Sequence, residues 1–140
     1  MSADVPVVGA VAVGGAAGAL ARAVVEVVAG VQAGAFPWPV LLINVVGSFG
    51  LGALTVLVLA RHVPRWVAPA LGTGFFGGFT TFSGYVVASE VLLQSGSAAL
   101  AVGYGLLTPV LCIAAASAGA QMVRVASALG GGASSPGTQG

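Results

Sequence analysis

The chain has 140 residues, of which 58% are hydrophobic and only 5% are charged. Soluble globular domains carry about 25% charged residues, so this composition excludes a chain hydrated over its whole surface and indicates a membrane protein. The formal net charge of +1 gives no field for nucleic acid or for an acidic substrate, and we expect neither as a partner. The single cysteine excludes an internal disulfide.

Four apolar stretches are long enough to cross a membrane as helices, which takes about 20 residues each. They cover approximately residues 7–29, 37–60, 66–93 and 99–125. We therefore predict an all-α, multi-pass protein of the cell membrane, in contact with membrane lipid. Residues 1–128 would form a four-helix transmembrane domain, and residues 129–140 a flexible, solvated tail.

The first span carries small residues and two charges on one face. Gly14 and Gly18 form a small-xxx-small pair, which lets another helix approach closely. Arg22 and Glu26 continue this face at four-residue steps and can pair across one helical turn. Arg22 is open to two interpretations of equal weight: an interfacial residue whose side chain snorkels to the membrane surface, or a vestibule charge near a pore mouth.

Polar side chains follow one face of the second span and one face of the fourth. They are Asn44 and Ser48 in the second span, and Tyr104, Thr108 and Cys112 in the fourth. Pro109 frees a backbone carbonyl or kinks the helix beside the second of these stripes. A lone amide in a span is more often a contact between helices, and a polar stripe is more often packing, but both are also able to line an ion pathway.

The third span contains GTGFFGGFTTFSGY at residues 72–85, in which five of fourteen residues are glycine. Because glycine in a helix interior costs about 1 kcal/mol relative to alanine, we expect the helix to break near Gly77, at membrane depth. Broken backbone is tolerated there only where protein buries it or where it lines a water-filled cavity. Its free carbonyls and N–H groups can then bind ions, so the stretch predicts an ion pathway.

An enzyme is not expected. The single histidine, His62, falls in a predicted loop, and the three acidic residues lie on three different segments. Neither a nucleophile–base pair nor a metal-binding cluster follows from such a distribution.

Three motifs, in chain order, resemble those of the CrcB/Fluc fluoride channels. They are GGAAGALAR at residues 14–22, LLINVVGSF at 41–49 and GFFGGFTTFS at 74–83, with Tyr104 where the family has a fourth-span tyrosine. The resemblance implies a fluoride-selective channel that exports fluoride passively across the cytoplasmic membrane and relieves fluoride toxicity. It also implies an antiparallel, dual-topology dimer of four-helix subunits with two narrow fluoride pores.

The resemblance assigns the ion sites as well. It implies a structural Na⁺ ion at the dimer interface, held by the backbone carbonyls of Gly77 and Thr80 from both subunits. It implies fluoride pores lined by Asn44, Ser48, Thr81, Phe82, Ser83, Tyr85, Tyr104, Thr108 and Cys112. Fluoride is strongly hydrated, and amide N–H groups, hydroxyls and the positive edge of an aromatic ring are groups that can replace its water.

Several positions depart from the family pattern. Gly84 and Tyr85 stand in place of threonine and phenylalanine, and Thr108 and Cys112 in place of serines. These departures keep open the alternative that the chain is a non-conducting or partly conducting subunit of a heterodimeric fluoride channel. A third alternative is a proton-coupled exporter of the small multidrug-resistance type, but it would need a carboxylate deep in the first span, and Glu26 is too near that span's end.

The arginines near the span ends bear on orientation. Arg61, Arg65 and Arg124 would lie on the side of the termini and Arg22 toward the other, a bias of 3 − 1 = 2. A homodimer of opposed copies needs a chain that inserts both ways, and hence a bias near zero. A bias of two is small enough for mixed insertion and large enough to suggest a preference. The resemblance favours the homodimer, and a heterodimer with an oppositely oriented paralogue stays open.

Overall fold

The computed structural model describes residues 5–30, 35–60 and 63–131. These residues form α1 (Val5–Ala29), α2 (Trp38–Ala60), a π-helix (Pro69–Phe76), α3 (Gly77–Phe79), α4 (Phe82–Gln94) and α5 (Ala98–Gly131). No strand occurs among them, which confirms the all-helical prediction for this part of the chain. The expectations for Arg61, for His62 and for residues 132–140 of the tail lie outside the described residues.

Three helices are long and apolar enough to cross a membrane, namely Pro6–Ala29, Trp38–Ala60 and Ala98–Leu129. They correspond to the first, second and fourth predicted spans. Helix α5 continues past the predicted end at Val125, where the next four residues, 126–129, include neither glycine nor proline. The stretch predicted as the third span is divided into shorter segments.

The division lies at two threonines whose backbone is extended. Thr80 has φ −73° and ψ 153°, and Thr81 has φ −142° and ψ 119°. Gly77, near which we predicted the break, is itself helical with φ −65° and ψ −35°. The chain therefore leaves helical geometry later than its glycine content suggests, at the residues whose backbone the Asn44 side chain binds.

Glycines allow α1 to approach the π-helix and α3 closely. A Cβ added at Gly14 or Gly18 would collide with carbonyl oxygens of the π-helix, and one added at Gly78 would collide with the carbonyl of Gly15. The prediction that the small-xxx-small pair lets another helix approach closely is thus confirmed. It also follows that some glycines of residues 72–85 serve packing and do not mark the break.

Helices α2 and α5 pack face to face over much of their length. Gly52 on α2 lies against the carbonyl of Ala116, and Gly119 on α5 lies against the carbonyl of Phe49. Such close backbone approach turns the polar face of α2 toward that of α5. Helix α4 packs against α5 beside this contact, where Tyr104 is fully buried.

Candidate functional site

A cavity of about 360 Å³ lies where α2, α4 and α5 meet the extended threonines. It is lined by Asn44, Ser48, Leu51, Thr80, Thr81, Phe82, Tyr85, Thr108, Pro109 and Cys112. Seven of the nine residues that the family resemblance assigns to a fluoride pore are in this lining, and Ser83 and Tyr104 are not. The fold thus gathers polar side chains from three helices and a helix break around one space.

The Asn44 side chain binds the backbone of Thr81 at both ends of its amide. Its Nδ2 donates to the Thr81 carbonyl at 3.0 Å, and its Oδ1 accepts from the Thr81 N–H at 2.8 Å. Since the Thr81 N–H can only donate, it fixes which way the amide points. Asn44 is 7% exposed, so these bonds lie away from water. Its second Nδ2 hydrogen is left for the cavity.

Thr81 also begins α4. Its hydroxyl oxygen accepts from the Gly84 N–H at 2.9 Å, which is the usual way an N-cap threonine satisfies a free donor in the first turn of a helix. The same oxygen lies 3.2 Å from the hydroxyl of Ser83. The hydroxyl hydrogen of Thr81 therefore points either to Ser83 or to a ligand in the cavity.

Two backbone carbonyls at the break lose their usual helical donors. In an α-helix the Gly77 carbonyl would accept from the Thr81 N–H, which here binds Asn44. The Thr80 carbonyl would accept from the Gly84 N–H, which here binds the Thr81 hydroxyl. Within the described part of the chain, neither carbonyl accepts another hydrogen bond. These are the two carbonyls that the family resemblance assigns to sodium.

Arg22 reaches the break from the side of α1. Its Nε donates to the Gly78 carbonyl at 3.3 Å, and its Nη1 lies 3.4 Å from the Glu26 carboxylate. The pairing with Glu26 predicted from their spacing is confirmed. Arg22 is partly buried and contacts the broken segment, but it does not border the cavity. Its role in a vestibule stays a prediction.

Tyr104 lies behind the cavity wall. Its ring is 5.5 Å from that of Tyr85, and the Thr108 hydroxyl donates to its backbone carbonyl at 2.8 Å. The Tyr104 hydroxyl is buried and has no hydrogen-bond partner among the described residues. Ser83, in contrast, is exposed on the first turn of α4.

The cavity lining includes one residue that the sequence interpretation missed, Leu51, and two to which it gave other roles, Thr80 and Pro109. Leu51 follows Ser48 by three residues, so the helical period that joined Asn44 to Ser48 also predicts its position on this wall. For Pro109 the sequence predicts a freed backbone carbonyl or a kink. Leu51 and Pro109 make the wall more apolar than the polar stripes suggested.

A family model described as "CrcB-like protein, Camphor Resistance (CrcB)" matches residues 9–120. The chain is a member of the CrcB-like family. The match covers most of α1, all of α2, the break and α4, and most of α5, and therefore the whole lining of the cavity. With its three long apolar helices, this CrcB-like chain is a multi-pass membrane protein.

Curated relatives agree with this assignment. The fluoride-specific ion channel FluC of Paracoccus denitrificans (strain Pd 1222) is 42% identical over 109 residues, which span 78% of this chain and 87% of the relative. FluC 1 of Streptomyces coelicolor is 40% identical over 111 residues, which span 79% of this chain and 72% of the relative. FluC 1 of Mycolicibacterium paratuberculosis is 38% identical over 116 residues, which span 82% of this chain and 88% of the relative. Membership of this family overturns the alternative of a small multidrug-resistance-type exporter.

The Asn44 amide predicts a measurable property of the break. Asn44→Ala should leave the Thr81 N–H and carbonyl without partners, at a cost of about 1–3 kcal/mol in the free energy of unfolding. We expect the Thr81 amide hydrogen to exchange much faster in this variant, as followed by NMR or mass spectrometry. Ser48→Ala, one turn along the same helix and cavity wall, is the matched control. Equal exchange rates in the two variants would contradict the assignment of Asn44 to the break.

Proposed function

We propose that this chain is a fluoride-selective ion channel that lets fluoride leave the cell passively and so relieves fluoride toxicity. The cavity beside the break carries the proposal, since it places amide and hydroxyl donors and an aromatic ring in an apolar helical protein. Family membership supports it, because the curated relatives are named fluoride-specific ion channels.

Conduction of fluoride requires donors that replace its hydration water. The second N–H of Asn44 and the hydroxyls of Ser48 and Thr81 are such donors, and all three residues line the cavity. Phe82 is 79% exposed beside them, and the edge of its ring is the positive part of the aromatic quadrupole. The unpartnered hydroxyl of Tyr104 supports a further donor role close to this wall.

Selectivity for an anion follows from the charge of the lining. None of the described residues that line the cavity is acidic, and Asn44, Ser48 and Thr81 carry donors within its largely apolar walls. The hydroxyls of Thr80, Tyr85 and Thr108 donate to backbone carbonyls instead. A low local dielectric strengthens the attraction between the donors of the first three residues and an anion. Passive conduction further requires that binding remain weak enough for the ion to leave.

The proposal includes an antiparallel, dual-topology dimer. The π-helix, α3 and α4 together would form the third membrane crossing, broken at Thr80 and Thr81, and give four crossings per subunit. The cavity is open on one side, and Phe82 extends from its rim, so a second copy would complete a closed pore. We favour a homodimer, with a heterodimer containing an oppositely oriented paralogue as the alternative.

We also propose a structural Na⁺ ion at the dimer interface. The carbonyls of Gly77 and Thr80 fit such an ion, because a hard cation prefers oxygen ligands and these oxygens accept no hydrogen bond within the described residues. Their counterparts in the second subunit would complete the ligand set. When bound, the ion supplies a fixed positive charge that offsets part of the cost of burying an anion nearby.

Fluoride efflux from liposomes tests the function. We expect purified protein to release fluoride down its gradient once a potassium shunt carries the balancing charge, and to release chloride far more slowly. Asn44→Ala and Phe82→Ala should slow efflux by about tenfold or more, since each loss of ~1.4 kcal/mol in barrier stabilisation is a factor of ten.

The control for these variants is Glu90→Ala. The Glu90 carboxylate accepts from the Gln94 side chain at 3.0 Å on the exposed surface of α4, away from the cavity. Its removal should change efflux little. Proton-coupled uptake of a cationic compound without fluoride flux would contradict the proposed function.

An experimental structure of the assembled protein tests the dimer and the sodium site together. We expect two antiparallel copies, with density of sodium-like coordination on the two-fold axis between the carbonyls of Gly77 and Thr80 of both copies. Parallel copies would contradict the dimer. A two-fold position filled by side chains, with both carbonyls bonded to protein donors, would contradict the sodium site.

A further inference from the structure

Pro109 interrupts the backbone hydrogen bonds of α5 beside the cavity. Proline has no N–H, and its ring crowds the carbonyl four residues earlier, which here belongs to Gly105. The hydroxyl of Tyr85 donates to this carbonyl at 2.7 Å. A side chain of α4 thus supplies the donor that proline removes from α5.

This hydrogen bond lies at the cavity wall. Tyr85 and Pro109 both line the cavity, and Gly105 is half-buried next to Tyr85. A Cβ added at Gly105 would stand 3.5 Å from the Tyr85 hydroxyl, so the two groups are in close contact without a gap for water between them. The ring of Tyr85 is also 5.7 Å from that of Phe82 on the cavity rim.

An unpaired carbonyl at this place would oppose an anion. Its oxygen is the negative end of the peptide dipole, and in apolar surroundings it would repel a nearby negative charge or hold a water molecule. A phenylalanine at position 85 would have the same ring but no hydroxyl, and would leave the Gly105 carbonyl without this donor. The tyrosine that departs from the resembled sequence pattern therefore has a definite structural partner.

We propose that Tyr85 is a positioning residue of the anion pathway and acts through the Gly105 carbonyl. By pairing this oxygen it keeps a repulsive group out of the cavity wall beside Pro109. The inference rests on the proposed fluoride conduction and adds to it the reason why a tyrosine and a proline occur together here. The hydroxyl of Tyr85 is then occupied by protein and is not itself a ligand of the ion.

The test is a double-variant cycle in liposomes at low protein density, with Tyr85→Phe, Pro109→Ala and the double variant. The rate of efflux per active liposome reports on the pathway, and the fraction of liposomes that empty reports on folded channels. We expect Tyr85→Phe to slow the rate about tenfold, equivalent to ~1.4 kcal/mol in the barrier. In the Pro109→Ala background the new N–H pairs with the Gly105 carbonyl, so Tyr85→Phe should change the rate by less than about twofold.

Other results contradict the inference. Equal slowing in both backgrounds means that the hydroxyl acts on the ion directly, and an unchanged rate with fewer active liposomes means that it only supports folding. If Tyr85→Phe alone does not fold, the double variant should regain active channels, and its failure to do so also contradicts the inference. Absence of fluoride efflux from the unsubstituted protein would instead contradict the proposed function itself, and this inference with it.

Discussion

The two hydrogen bonds between the Asn44 side chain and the Thr81 backbone are the interaction on which the rest of the site depends. They take the Thr81 N–H away from the Gly77 carbonyl and so end helical pairing at that residue. Thr81 then caps α4, and the first turn of this helix places Phe82 and Tyr85 in the cavity lining. Without the amide, buried backbone groups would lose these partners at a cost of about 1–3 kcal/mol.

The broken segment is held from two sides. Asn44 binds it from α2, while α1 packs against the preceding turns through its glycines and donates from Arg22 to the Gly78 carbonyl. Donors from Asn44 and Thr81 adjoin the cavity, and the carbonyls of Gly77 and Thr80 accept nothing within the described chain. Such an arrangement suits an anion in the cavity and a cation at the carbonyls, which is the basis of both proposed ion sites.

Regular features of the fold follow from the sequence, because they depend on local periodicity. The four-residue steps that join Asn44 to Ser48, and Thr108 to Cys112, place each pair on one helix face, and both faces border the cavity. The position of the break depends instead on a contact between residues 37 positions apart, so the glycines indicated only its neighbourhood, near Gly77, and not Thr80 and Thr81 themselves. The role of Gly78 depends on how closely α1 approaches, and the partner of Tyr85 depends on a proline of another helix. No local sequence pattern indicates either of these two contacts.

The central claim is that fluoride passes through the cavity between α2, α4 and α5. The natural cysteine of the chain, Cys112, lines this cavity as a partly buried free thiol, so it reports on the pathway without any added probe. A small thiol reagent such as methyl methanethiosulfonate should block fluoride efflux from liposomes, more slowly when fluoride is present at high concentration, and should have no effect on Cys112→Ser. Complete modification of Cys112, verified by mass spectrometry, with fluoride efflux unchanged would contradict the account.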